Sequence, residues 1–221
     1  MTGELAKRIA RHYPSRFLRS YVRFKVAADP LYAAVAGLLT ASSLPLLDVG
    51  CGAGLLSFYL RESGFHPAIE GIDHDEKKVA AAQVVAQHAY SGLTFRRADA
   101  LAPLAFSGNV TLLDVLHYFP AAAQETLLRN AMAATAPGGV VIIRECPRES
   151  NWRYWTTYAE ESLAMAFQWL KGGALNFPAR EQILAPFLDR GFTSEVTPMW
   201  GSTPYNNYLF VFRREGTDPP I

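Results

Sequence analysis

Cysteine is nearly absent. The 221-residue chain holds two, Cys51 and Cys146. They make neither a CxxC pair nor a disulfide framework, so no metal is expected and a reducing, cytoplasmic setting is. A long hydrophobic run is lacking too. "LYAAVAGLLTA" (31–41) falls short of the roughly 20 residues a bilayer span needs. The first dozen residues are charged and have no apolar core, which argues against a signal peptide. Net charge is only +1, so the whole-chain balance predicts neither a nucleic-acid nor a membrane partner. No internal repeat or low-complexity tract breaks the sequence.

Half of the residues are hydrophobic, enough for one well-buried core. Charge is unevenly spread. Residues 1–28 carry seven Lys/Arg against the single acid Glu4, a local +6, and the rest of the chain is −5. Apolar spacing in "ELAKRIARHY" and "SRFLRSYVRFKVAA" predicts two helices separated at Pro14. Asp29-Pro30 opens a third that runs to about Thr40.

From Leu44 strands and helices alternate. Strands are expected at Pro45–Val49, Ala68–Ile72, Leu93–Arg96, Val110–Val115, Val140–Arg144, Phe192–Val196 and Tyr208–Arg213. Helices are expected at Gly54–Ser63, Asp75–Ala89, Ala121–Ala136 and from Pro178 to Gly191. The alternation predicts an α/β, Rossmann-like, doubly wound seven-stranded sheet, mostly parallel. The last two strands are too close in sequence for a crossover helix, so the last strand is expected to be antiparallel. The expected organisation is an N-terminal helical cap and basic arm (1–43), a catalytic domain (44–214) and a tail (215–221). A helical, aromatic insertion at 147–177 would form a lid.

In an open parallel sheet, ligands bind beyond the carboxyl ends of the strands. There "LLDVGCGAGLL" (46–56) forms a strand, a tight turn and a helix start. Gly50, Gly52 and Gly54 spell G-x-G-x-G. A dinucleotide loop would want its third glycine at position 55, which is Leu, and no Gly-Lys-Ser/Thr follows for a Walker loop. Asp48, two residues before the first glycine, suits a cationic ligand better than a pyrophosphate.

This stretch resembles the first motif of class I S-adenosylmethionine-dependent methyltransferases, and the other family signatures follow in order. "IEGIDHDEKKV" resembles the second motif, "LTFRRADAL" the third, "VTLLDVLHYFP" the fourth, and "APGGVVIIRE" the next. The likeness covers Leu46 to about Glu145 closely and Leu184–Arg213 more loosely. It implies S-adenosylmethionine as cofactor and S-adenosylhomocysteine as product. It implies cofactor contacts from Asp48, Gly50, Cys51 and Gly52 in the turn. Asp73 would take the ribose hydroxyls, with His74 beside it. Asp99 and Ala100 would face the adenine, and Asp114 with Val115 the methionine portion.

The acceptor side carries fewer signals. His117 lies in the loop that faces the transferable methyl group in this family. It is read either as a general base or orienting donor, or as a structural histidine. Tyr118 follows it. Arg144 and Glu145 are expected to close their strand on one face, near the acceptor or as solvated charges. Trp152 and Trp155 of the insertion, and Trp200 and Tyr205 of "WGSTPYNN", are expected to border the pocket. The apolar, aromatic lid points to a small aromatic, phenolic or apolar acceptor. "YVRFKVAADPLY" resembles methyltransferases of bacterial aryl polyene pathways, which would imply a carrier-bound phenolic acceptor. Residues 1–28 would then dock an acidic acyl carrier protein. The rival readings are an RNA methyltransferase and a non-catalytic cofactor-binding partner protein.

Overall fold

The computed structural model describes residues 2–166, 175–201 and 203–216, and the side chains of all of these but 2 and 164–166. Part of the expected lid (167–174) and of the tail (217–221) lies outside the described residues. The chain forms two compact units, Met1–Ala100 and Leu101–Ile221.

The first unit begins with α1 (Thr2–Ala10), α2 (Arg16–Ala28) and α3 (Leu31–Leu39). Ser15 caps α2 by accepting the Leu18 amide, and Asp29 accepts the Leu31 amide at the start of α3. There follow β1 (Leu46–Val49), α4 (Leu55–Glu62), β2 (Ile69–Asp73), α5 (Glu76–Ala89) and β3 (Leu93–Arg97). β1 pairs in parallel with β2, and β2 with β3. The rings of Tyr13, Phe58, Tyr90 and Phe95 cluster here, with Phe58 stacked on Tyr90 at 4.9 Å.

The second unit holds β4 (Asn109–Leu113), α6 (Ala121–Ala134), β5 (Val140–Glu145), α7 (Trp152–Ala166), α8 (Arg180–Leu184), β6 (Phe192–Pro198) and β7 (Tyr208–Arg214). β4 pairs in parallel with β5, and β7 runs antiparallel between β5 and β6. β5 is buried along its whole length. Seven strands with helices between them, and an antiparallel last strand, are the α/β Rossmann-like class expected from the sequence.

Most element ends shift by one or two residues from expectation, and two of the differences have a local cause. β4 stops at Leu113 and not Val115, because Asp114 takes φ 58°, a left-handed conformation that ends the strand. The helix after Pro178 ends at Leu184 and passes into a 3-10 turn, Ala185–Phe187. Pro186 has no N–H to continue the ladder.

Candidate functional site

The glycine turn is held from three sides within the first unit. The Gly50 and Cys51 amides both donate to the Ile72 carbonyl, at 2.8 and 3.0 Å. The Gly52 amide donates to Asp73 Oδ2 at 2.9 Å. The Tyr13 hydroxyl, buried behind the turn, donates to the Ala53 carbonyl at 2.7 Å. Gly50, Gly52 and Gly54 all have positive φ, which only glycine adopts freely.

Gly52 and Gly54 are glycine for different reasons. A Cβ on Gly54 would stand 2.9 Å from ring atoms of both Phe58 and Phe95, so packing forbids it. A Cβ on Gly52 would meet nothing within 4 Å. The bare backbone there fronts open space, as a turn that receives a ligand needs.

Asp73 is buried at the end of β2. Its Oδ2 accepts Gly52 and its Oδ1 accepts the Asp75 amide at 2.8 Å. A carboxylate has about four acceptor sites, so both oxygens keep capacity for a ligand. Asp73 does not cap the following helix. Asp75 does, accepting the Lys77 and Lys78 amides. His74 Nδ1 lies 3.4 Å from Asp73. Asp48 is buried within β1, and Asp99 is exposed after β3. Burial pushes the Cys51 thiol up, and the Asp48 and Asp73 carboxylates push it further. The turn therefore sits in negative potential, unsuited to a pyrophosphate and suited to a cation with a ribose edge. The spare acceptor capacity of Asp73 and the open backbone at Gly52 fit a sulfonium nucleoside.

The second unit carries a different cluster. The His117 side chain is buried, and its Nδ1 lies 2.7 Å from Glu145 Oε1. Glu145 is fully buried and also accepts the His117 amide at 3.3 Å and the Cys146 amide at 2.9 Å. His117 Nε2 is buried and has no hydrogen-bond partner among the described residues. The nearest carboxylate on that side is Glu161 of α7, whose Oε2 is 3.9 Å away and accepts the Tyr118 hydroxyl at 2.8 Å. Phe177 stacks on the imidazole at 4.9 Å and meets Tyr154 and Tyr158 in turn.

Burial pulls the His117 imidazole down, but Glu145, Glu161 and Asp114 together outweigh it and push it up to about 9. Burial raises Glu161 above the usual carboxylate range. Burial likewise pushes the Cys146 thiol up to about 12, in keeping with an inert packed residue.

Arg144 and Glu145 do not share a face, contrary to expectation, because successive strand residues point to opposite sides. Arg144 Nε reaches both oxygens of Asp114, at 2.8 and 3.0 Å, while Glu145 turns to His117. Both are buried, so neither is a solvated charge. Val115 precedes the short 3-10 turn that carries His117. Trp152 and Trp155 are exposed, and their ring contacts run to Arg153, Tyr154 and Tyr158. Trp200 is partly buried against Tyr208 and Arg153, and Tyr205 lies in the same β6–β7 loop. Tyr13, Glu161 and Phe177 were not picked out from sequence. Their types carry no motif, and only the fold brings them to the turn and to His117.

Among the described residues no group of His, Cys, Asp and Glu could hold a metal ion, and no helix is long and apolar enough to cross a membrane. Residues 40–182 match the family described as "Methyltransferase domain". A ubiquinone biosynthesis O-methyltransferase of Paramagnetospirillum magneticum is 32% identical over 156 residues, which are 68% of this chain and 59% of that one. The match thus spans less than two thirds of that relative. The magnesium protoporphyrin IX methyltransferase of Synechocystis PCC 6803, solved with S-adenosylhomocysteine, superposes with TM-score 0.67 at 21% identity. That superposition covers 96% of this chain and 94% of the other. The pyocyanin biosynthetic protein PhzM gives TM-score 0.68 at 17% identity, over 95% and 61% of the two chains. With the motifs from Leu46 to Glu145, the matched domain places the chain in the methyltransferase-domain family, among the class I S-adenosylmethionine-dependent methyltransferases.

Proposed function

We propose that the protein transfers a methyl group from S-adenosylmethionine to a hydroxyl of a small aromatic acceptor, a phenol or a molecule like it. The buried His117–Glu145 pair, with Nε2 left without a hydrogen-bond partner, carries the reading. A hydroxyl acceptor must lose a proton, and this is a base held in one orientation for that task. The aromatic run from Phe177 through Tyr154 and Tyr158 supports a flat, apolar acceptor.

In the first unit, Asp73 takes the ribose hydroxyls, and the Gly50–Gly52 backbone lets the nucleoside approach closely. Asp48 and Asp73 favour its positive charge. When bound, the cofactor supplies an electrophilic methyl on a sulfonium with a good leaving group. In the second unit Glu145 fixes the tautomer: Nδ1 carries the proton and Nε2 faces the acceptor. Arg144 holds Asp114 in its left-handed turn, which sets the loop that carries His117. Glu161 counters the imidazolium and holds Tyr118. An acceptor hydroxyl that takes the Nε2 hydrogen bond displaces Glu161. One of the carboxylates that keep His117 charged then leaves, and the imidazole becomes a competent base.

Calorimetric titration with S-adenosylhomocysteine tests the cofactor half. Two hydroxyl bonds to a charged acceptor contribute about 1.5–3 kcal/mol each, so Asp73→Ala weakens binding by about 100-fold or more. Equal affinity in the two proteins would falsify the ribose assignment. His117→Ala tests the other half. It removes turnover of a phenolic acceptor and leaves cofactor affinity within about threefold.

A further inference from the structure

The outer face of α2 is apolar although its inner face already supplies the core. Val22 and Val26 point inward and are buried. On the opposite side Phe17, Tyr21 and Phe24 follow one another at helical spacing, 70%, 45% and 75% exposed. An amphipathic helix that serves one core needs a single apolar stripe, and this one has two. Beside the outer stripe lies a shallow cleft of about 260 Å³ between α1 and α2. It is lined by Lys7, Ala10, Arg11, Arg19, Ser20 and Arg23. Four of those six residues are cations, and residues 1–28 hold one acid in all. The whole-chain charge of +1 hides this field, because acids elsewhere cancel it.

We infer that this face docks on an anionic lipid surface. The Phe17, Tyr21 and Phe24 rings enter the headgroup boundary, and the cleft receives a lipid phosphate. The charge is complementary, since juxtamembrane Lys and Arg are each attracted to anionic lipid. The apolar stripe is the second element that stable surface binding needs. α2 has 13 residues, too few to span a bilayer but enough to lie along one. Phosphate without lipid would engage the cleft alone and would leave the aromatic stripe idle.

The test is co-sedimentation of the full chain with vesicles. One set is phosphatidylcholine alone, and the other contains about 30% phosphatidylglycerol. The protein pellets with the anionic vesicles, not with the neutral ones, and high salt weakens the binding. The double variant Phe17→Ser/Phe24→Ser lowers partitioning by about tenfold or more, and so does Arg23→Glu. All three side chains are exposed, and an unchanged melting temperature confirms that the variants fold. Failure to pellet with anionic vesicles overturns the inference, as does binding that survives the Phe double variant. Binding to an acidic carrier protein with no vesicle binding overturns it in favour of a protein partner. The readout needs neither cofactor nor acceptor, so its failure leaves the proposed methyl transfer untouched.

Discussion

Glu145→Gln is the sharpest test of the His117 cluster, because it keeps shape and removes one charge. In the native chain Glu145 accepts three hydrogen bonds, from His117 Nδ1 and from the His117 and Cys146 amides. A Gln side chain accepts at one end only, so its amide group faces a backbone donor. The imidazole, at about 9 against an ordinary 6.5, marks a stabilisation of about 3 kcal/mol. The pair is buried, so solvent screening removes little of it. The sign follows from linkage. A histidine raised on folding stabilises fully below its unfolded value near 6.5, and that contribution is lost as pH climbs through 9. The native protein therefore loses about 3 kcal/mol from this source between about pH 6.5 and 9. In Glu145→Gln most of the slope disappears, and only Glu161 and Asp114 still favour the charged ring. The variant is much weaker than the native chain near pH 6, and the gap narrows near pH 9.5. Urea unfolding followed by tryptophan fluorescence measures this directly, because the described tryptophans, Trp152, Trp155 and Trp200, all belong to the second unit. Glu125→Gln removes an exposed pair with Arg129 and serves as the control. Equal pH slopes for native and Glu145→Gln proteins would refute the charged-pair reading.

The glycine turn separates folding from binding. Gly54→Ala combines a φ of 81° with contacts at 2.9 Å to two rings, and costs about 2 kcal/mol or more in stability. Gly52→Ala meets no neighbour and costs about 1 kcal/mol, yet it weakens S-adenosylhomocysteine binding out of proportion. Unchanged affinity in Gly52→Ala, by calorimetry, means the cofactor lies elsewhere. Glu161→Gln tests the second carboxylate. In the native enzyme kcat/KM rises with pH toward a plateau above about 9, as His117 loses its proton. Removing the Glu161 charge moves that limb to lower pH and shifts the limb of kcat less, since in the proposed mechanism the bound acceptor displaces Glu161. A limb that stays in place shows that Glu161 does not act on the ring.

The fold was legible because its signals are local. Alternating apolar runs with turn residues between them place every strand within a few residues, and Asp75 as the helix cap could be read from its position alone. The ends of β4 and of the helix after Pro178 are local too, but they depend on a backbone conformation at Asp114 and on the reach of Pro186. The grouping of the glycine turn with its acids was legible for a related reason. Asp48, the three glycines and Asp73 lie within 26 residues of one another, and one strand-turn-helix unit with its neighbouring strand brings them together. Tyr13 escaped notice because its partner is a backbone carbonyl 40 residues away. No side-chain type in the turn announces it.

The His117 cluster depends on how one helix is rotated, and composition misleads there. In "WRYWTTYAEESLAMA" size suggests that Trp152 and Trp155 face inward, yet both are exposed. The stripe that faces inward is Tyr154, Thr157 and Glu161, at helical spacing. Polar anchors set that rotation. Asn151 accepts the Tyr154 amide at 2.8 Å, and the Thr157 hydroxyl accepts the Asn206 amide at 3.0 Å. Arg153 then covers the Trp152 and Trp200 rings, at 4.7 and 4.9 Å, which stabilises tryptophan on the outer side. Of the adjacent Glu160 and Glu161, the anchored rotation turns Glu161 to His117 and leaves Glu160 exposed. Hydrophobicity alone would choose the wrong face, because the residues that fix this helix are an asparagine, a threonine and an arginine.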